Sequence, residues 1–99
     1  MNIVEAAQGF SAMGSESRLE VLQALVRAGS AGLRVGDIQQ RTGIAASTLA
    51  HHLKFLSAAN LIVQRKQGRV IMSTANFDYL NALAGFILEN CCTETEPKS

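Results

Sequence analysis

Aromatic side chains are scarce in this sequence, only 5% of its 99 residues. A core must therefore be assembled from Leu, Ile, Val and Ala, in a chain that is 47% hydrophobic. That length supports one domain around one core. Neither an internal repeat nor a linker long enough to separate a pair of domains is present. Long apolar runs are missing as well: no stretch approaches the ~20 residues needed to span a bilayer. Residues 1–13 carry no basic segment and no continuous apolar run, so they do not read as a secretory signal, and a cytoplasmic location is expected. Cysteine is limited to the adjacent pair Cys91 and Cys92, which in a reducing compartment argues against a structural disulfide. Catalytic patterns are lacking too. There is no Ser/His/Asp arrangement, no paired-acid motif and no phosphate-binding glycine loop, and His51 and His52 stand about 40 residues from the cysteines. An enzyme is not the expected reading.

A net charge of +1 hides a strong segregation. Residues 34–69 hold Arg34, Arg41, Lys54, Arg65, Lys66 and Arg69 against Asp37 alone, a local balance of +5. The rest of the chain sets Arg18, Arg27 and Lys98 against seven acids, a balance of −4. Positive charge gathered in one segment is what a nucleic-acid footprint produces. An ordinary solvated face has the same composition, so charge alone does not decide the matter.

Periodicity supplies the elements. Ile3, Ala7, Phe10 and Met13 recur at helical spacing, which predicts a first helix over residues 3–13, ending near Gly14. Ser15 or Ser17 is placed to cap a second helix over about Glu16–Ala28, with Glu16 and Glu20 complementing its dipole. Leu19, Leu22, Leu25 and Val26 form its expected buried stripe, and Gly29 ends it. A third helix over Val35–Thr42 and a fourth over Ala46–Ala58 are separated by a turn at Thr42-Gly43. Leu49, Leu53 and Leu56 share one face of the fourth, and Asn60 stands where a left-handed residue would stop it. Two β-type runs, Ile62–Lys66 and Arg69–Thr74, flank a turn at Gln67-Gly68 with Arg65, Lys66 and Arg69 at the tip. A last helix covers Phe77 to about Asn90, the domain spans 1–92, and 93–99 reads as a loose, acidic tail.

Helix, turn, helix and basic hairpin in this order are the grammar of a winged helix-turn-helix. The expected fold is mainly α with a β-hairpin wing: four helices, two strands and a closing helix. The fourth helix is the candidate recognition helix. Ser47, Thr48, His51 and Lys54 lie opposite its leucines, and short polar side chains near a helix N-terminus suit base edges and phosphates of a major groove. Ser47, Thr48 and His51 are assigned to base edges or adjacent phosphates. Lys54, Arg65, Lys66 and Arg69 are assigned to the backbone, with the wing reaching sugar-phosphate or minor groove. Gln40, with Gln39 and Arg41, is placed for a further phosphate contact, and His52 reads as half-buried structure. The partner is then double-stranded operator DNA, with no membrane involved. A winged helix that binds protein instead is the alternative, and the +5 segment argues against it.

In the last helix Phe77, Leu80, Ala84, Ile87 and Cys91 recur at three- and four-residue offsets, widened by Leu83 and Leu88. So much apolar surface outside the helix-turn-helix predicts a homodimer through the first and last helices. A two-fold dimer also presents two recognition helices one DNA turn apart, ~34–36 Å.

SESRLEVLQAL in the second helix and TGIAASTLAHHLKFLSAANLIVQRKQGR across the recognition helix and wing resemble the ArsR/SmtB family of bacterial metal- and metalloid-responsive repressors. The resemblance covers Ile3 to about Cys92 and implies a winged-helix DNA-binding repressor. Two of the family's sensing patterns are absent. Where some arsenic repressors carry a cysteine cluster at the start of the third helix, this chain has Leu33-Arg34-Val35-Gly36-Asp37-Ile38. Zinc sensors carry Asp and His on the last helix, which here has no histidine, so zinc is not expected. Cys91-Cys92 is similar to the arrangement in a second group of arsenic-sensing repressors and implies a trivalent arsenic or antimony inducer.

Soft thiolates select such soft acceptors over hard cations. Inorganic arsenite uses up to three sulfurs, and this chain has no third cysteine. A third thiolate has to come from a dimer mate or an exogenous thiol, whereas methylarsenite is complete with two sulfurs; both ligands stay open. Thiol oxidation, or another thiophilic metal, is the alternative trigger. Against oxidation stand the helix C-terminal dipole, Glu89, Glu94 and Glu96 nearby, and the strained ring that an adjacent pair closes. The resemblance implies derepression: bound to DNA when empty, released when loaded.

Overall fold

The computed structural model describes residues 1–95. Its elements are α1 (Ile3–Met13), α2 (Glu16–Ala28), a 3₁₀ turn (Gly29–Ala31), β1 (Leu33–Arg34), α3 (Val35–Thr42), α4 (Ala46–Ala58), β2 (Ile62–Gln67), β3 (Val70–Ala75) and α5 (Phe77–Leu88). The caps explain most of these bounds. Asn2, Ser15 and Asn76 each accept a backbone N–H with the side chain, at the starts of α1, α2 and α5. Asn60, with φ 63°, turns the chain out of α4 as expected.

The core is aliphatic. Leu25, Ile38, Leu49, Leu56, Leu61 and Leu83 are fully buried, each worth roughly 1.5–3 kcal/mol in apolar burial. The leucine face of α4 is the one that faces inward. In α2 the buried arc is Val21, Leu22, Ala24 and Leu25, so Leu22 and Leu25 of the predicted stripe are buried and Leu19 and Val26 are not. Leu19 and Val26, seven residues apart and so on one flank of the helix, are each 42% exposed. Apolar residues stand on both flanks of Leu22 and Leu25, with Leu19 and Val26 on one and Val21 and Ala24 on the other, and packing against α3, α4 and β3 selects the second.

The wing is built into a three-stranded antiparallel sheet of order β1-β3-β2. The two-residue strand β1 was not expected; it pairs Leu33 with Ser73 and Arg34 with Met72. Gly32 makes this possible: its φ of 73° and ψ of −176° suit glycine alone, and a Cβ there would stand 2.6 Å from the Ser73 carbonyl oxygen. The hairpin pairs Ile62 with Ala75 through Gln67 with Val70, so its turn is Gly68-Arg69, one residue later than predicted. A positive φ at Gly68, first of the two turn residues, is what a tight hairpin requires.

α5 ends at Leu88, earlier than Asn90, and Glu89 closes it by donating its N–H to the Phe86 carbonyl. Leu83 is buried beneath α1, so close to Gly9 that a Cβ there would meet its Cδ2 at 2.9 Å. The stripe Phe77, Ala84 and Ile87 points away from the core instead; Ile87 and Leu88 are 64% and 65% exposed. On α1, Ile3 and Val4 are likewise exposed, at 70% and 62%. Of the expected acidic tail, 93–95 form turns and 96–99 lie outside the described residues.

Candidate nucleic-acid interface and thiol pair

The α3–α4 corner is set by its own polar groups. Thr42 Oγ1 donates to the Ile38 carbonyl at 2.8 Å and accepts from the Ile44 N–H, turning the chain into α4. Ala45 opens α4 without any side-chain cap, so the first N–H groups of the helix are left to outside acceptors. Ser47, Thr48, His51 and Lys54 are all exposed on the side opposite Leu49, Leu53 and Leu56. Ser47, His51 and Lys54 follow one another at four and three residues and form a continuous polar stripe.

The wing cations divide between two faces. Arg69 stands at the turn. Arg65 and Lys66 lie further down β2 than expected, not at the tip, and as neighbours on a strand they point to opposite sides. Lys66 shares its side with Ile71 and Gln64. Those two line a cleft of about 450 Å³ with Ala50, Leu53, Lys54 and Ser57, so α4 and this face of the wing form one surface. Gln40 is exposed on α3.

Charge supports the same surface. Among the described residues the one ion pair is Arg34 with Asp37, 3.4 Å apart. The Arg34 N–H also donates to Asp37, and this bond, with the Arg34 and Arg41 charges, holds the Asp37 carboxyl below its usual pKa. Asp37 therefore stays ionised and occupies Arg34. Arg41, Lys54, Arg65, Lys66 and Arg69 are left without a carboxylate partner among the described residues.

His52 is half-buried, as predicted, with Nδ1 enclosed and unpartnered. Burial first, then the Arg18 and His51 charges, push its pKa down, so it is neutral at pH 7. Two residues that pattern did not single out also meet α4. Phe55 is exposed on α4, and Arg18 of α2 lies over its ring. In sequence Arg18 is only one of three cations set against seven acids, and nothing in the spacing pointed it at α4.

Cys91 and Cys92 lie beyond α5, in turns, and not on a helix end as expected. The apolar repeat of α5 runs out at Leu88, and Asn90 and Cys92, each with φ 63°, carry the chain through left-handed turns. The Cys91 N–H donates to the Leu88 carbonyl at 3.0 Å, which ties the pair to the last residue of α5. Both thiols are exposed and their Sγ atoms are 3.4 Å apart. Among the described residues no three His, Cys, Asp or Glu side chains converge on a point. No helix among them is long and apolar enough to cross a membrane.

Comparison with known proteins agrees with this geometry. A helix-turn-helix domain family matches residues 13–65. The nodulation protein NolR of Rhizobium meliloti is 34% identical over 82% of this chain, which spans 65% of that protein's length. The HTH-type transcriptional regulator YceK of Bacillus subtilis is 32% identical over 82% of this chain and 81% of its own. The structure of an ArsR-like transcriptional regulator from Rhodococcus sp. RHA1 superposes with a TM-score of 0.77 at 32% identity, covering 92% of this chain and 82% of that one. The chain belongs to the ArsR family of winged helix-turn-helix transcriptional regulators.

Proposed function

We propose that this regulator is a homodimeric repressor that leaves its operator when a trivalent arsenical binds Cys91 and Cys92. The observation that carries the ligand is the thiol pair. Two sulfur bonds of about 2.3 Å, the length of a zinc–thiolate bond, span the 3.4 Å between Cys91 Sγ and Cys92 Sγ when they meet at about 95°. That angle suits a pyramidal three-coordinate centre with a lone pair better than a tetrahedral ion. Each thiol gives up its proton to a hydroxide leaving arsenic, so two As–S bonds form, two As–O bonds break and two waters depart. No electrons are transferred. With methylarsenite the two sulfurs and one methyl complete the centre; with arsenite or antimonite the third position takes an outside thiol or the partner's cysteine.

Ser47, Thr48 and His51 of α4 are assigned to base edges, and Lys54, Gln40, Arg65, Lys66 and Arg69 to the backbone. The exposed stripe of α5 with Ile3 and Val4 of α1 supports self-association through those helices. The thiol pair continues directly from that stripe. A ligand there fixes the turns after Leu88 and shifts how the two subunits pack, and with it the separation of their α4 helices. A coupling of ~1–3 kcal/mol lowers operator affinity some 5- to 150-fold, enough for derepression.

Native mass spectrometry tests the ligand. Wild type is expected to gain one methylarsenic group per chain, and Cys91→Ser/Cys92→Ser none. Equal uptake by both would sink the site.

A further inference from the structure

A line of contacts crosses from α1 to the exposed face of α4 without using the interface residues' own backbone. Arg18, in the first turn of α2, donates from Nε to the Ala12 carbonyl at 2.5 Å, in the last turn of α1. Its guanidinium lies over the Phe55 ring, 5.3 Å from the centroid. The same ring meets His51 edge-to-face, with centroids 5.1 Å apart and planes at 72°. Phe55 is 48% exposed, so core burial does not explain an aromatic there. Beside it lies an open cleft of about 560 Å³, lined by Ser11, Ala12, Arg18, Phe55 and Ala58. Both rings are exposed, and they are held by their contact with one another and with Arg18.

We propose that Arg18 is a positioning residue for DNA recognition: through Phe55 it holds the His51 ring in the orientation that reads the operator. The inference rests on the assignment of His51 to the operator. An exposed histidine samples several rotamers, and ordering it before DNA arrives removes that cost from binding. Arginine suits the task because its plane can stack on a ring while an edge N–H keeps a hydrogen bond. Lysine, with the same charge, cannot do both. Since the hydrogen bond goes to Ala12, the orientation of His51 also depends on where the last turn of α1 stands.

The experiment uses the full chain with operator and non-operator duplexes. Affinities are measured for wild type, Arg18→Lys, Phe55→Leu, Phe55→Tyr, His51→Ala and the Arg18→Lys/His51→Ala double variant. His51 ring-proton resonances are recorded without DNA. Arg18→Lys and Phe55→Leu are each expected to move the His51 resonances and to weaken operator binding on the order of three- to tenfold, with non-operator binding unchanged. Phe55→Tyr keeps the ring and stays near wild type. In the His51→Ala background Arg18→Lys adds no further loss. Phe55 is exposed, so Phe55→Leu folds and remains informative whatever Arg18→Lys does. His51 resonances that ignore Phe55→Leu overturn the inference, as does an Arg18→Lys loss that persists without His51. If His51→Ala alone leaves operator affinity unchanged, the assignment of His51 fails, and this inference with it.

Discussion

Gly32→Ala is expected to be among the most damaging single-methyl additions in this chain. Its backbone, at φ 73° and ψ −176°, lies where a residue with a side chain costs ~1–3 kcal/mol. The added Cβ would also stand 2.6 Å from the Ser73 carbonyl oxygen and 2.7 Å from Thr74 Cγ2. That oxygen is backbone of β3, the central strand, and cannot yield without moving the sheet. Losing the β1 pairing adds about 1 kcal/mol for each hydrogen bond given up. The sum is roughly 3–5 kcal/mol, a large share of the ~5–15 kcal/mol that stabilises a domain. Gly29→Ala is the control. At φ 69° and ψ −154° it carries similar strain, but nothing lies within 4 Å of its Cβ. With no tryptophan in the chain, urea unfolding is followed by circular dichroism. Gly32→Ala should fall below Gly29→Ala by more than 1 kcal/mol. Equal losses would refute the contact argument, and a Gly32→Ala loss under 1 kcal/mol would refute the strain argument too.

Arg69→Ala at the wing turn should weaken binding to every DNA sequence alike and reduce the slope of log K against log salt by about one; an unchanged slope would remove Arg69 from the backbone contacts. Leu88→Glu, at a position 65% exposed, should leave the subunit folded but shift light-scattering mass toward the monomer, whereas a mass unchanged from wild type would place the interface elsewhere. His52 has a lowered pKa, so the unfolded chain binds a proton that the folded one refuses. Its contribution is present above 6.5 and is lost as pH falls through the folded-state value. Urea midpoints at pH 7.5 and 5.5 should differ in wild type and differ less in His52→Gln; the same drop in both would absolve His52.

The helices were legible because their ends carry local signals. Ser15, Gly29 and Asn60 act within a turn of where they stand, and Leu49, Leu53 and Leu56 repeat long enough to define a face. Long-range choices were not legible. β1 has two residues, too few for any period, and exists because β3 lies beside it. The inward side of α2 depended on its neighbours, and the position of Arg65 and Lys66 on a hairpin register that moved by one. The polar stripe of α4 was readable from the same repeat as its leucines. The contact of Arg18 with Phe55 joins residues 37 positions apart, and no spacing announces it. The thiol pair was visible as a pair, but its place beyond the helix was not, because the chain leaves α5 at Glu89, with ψ 132°, and then runs through left-handed turns at Asn90 and Cys92.

The most direct measurement is fluorescence anisotropy of a labelled operator fragment carrying the wild-type protein, titrated with methylarsenite and then arsenite, beside Cys91→Ser/Cys92→Ser. Wild type should be released by an arsenical at roughly one equivalent per chain, and the double variant should not be released. An operator complex that holds through both titrations, or a double variant released as readily as wild type, would contradict a switch at the thiol pair.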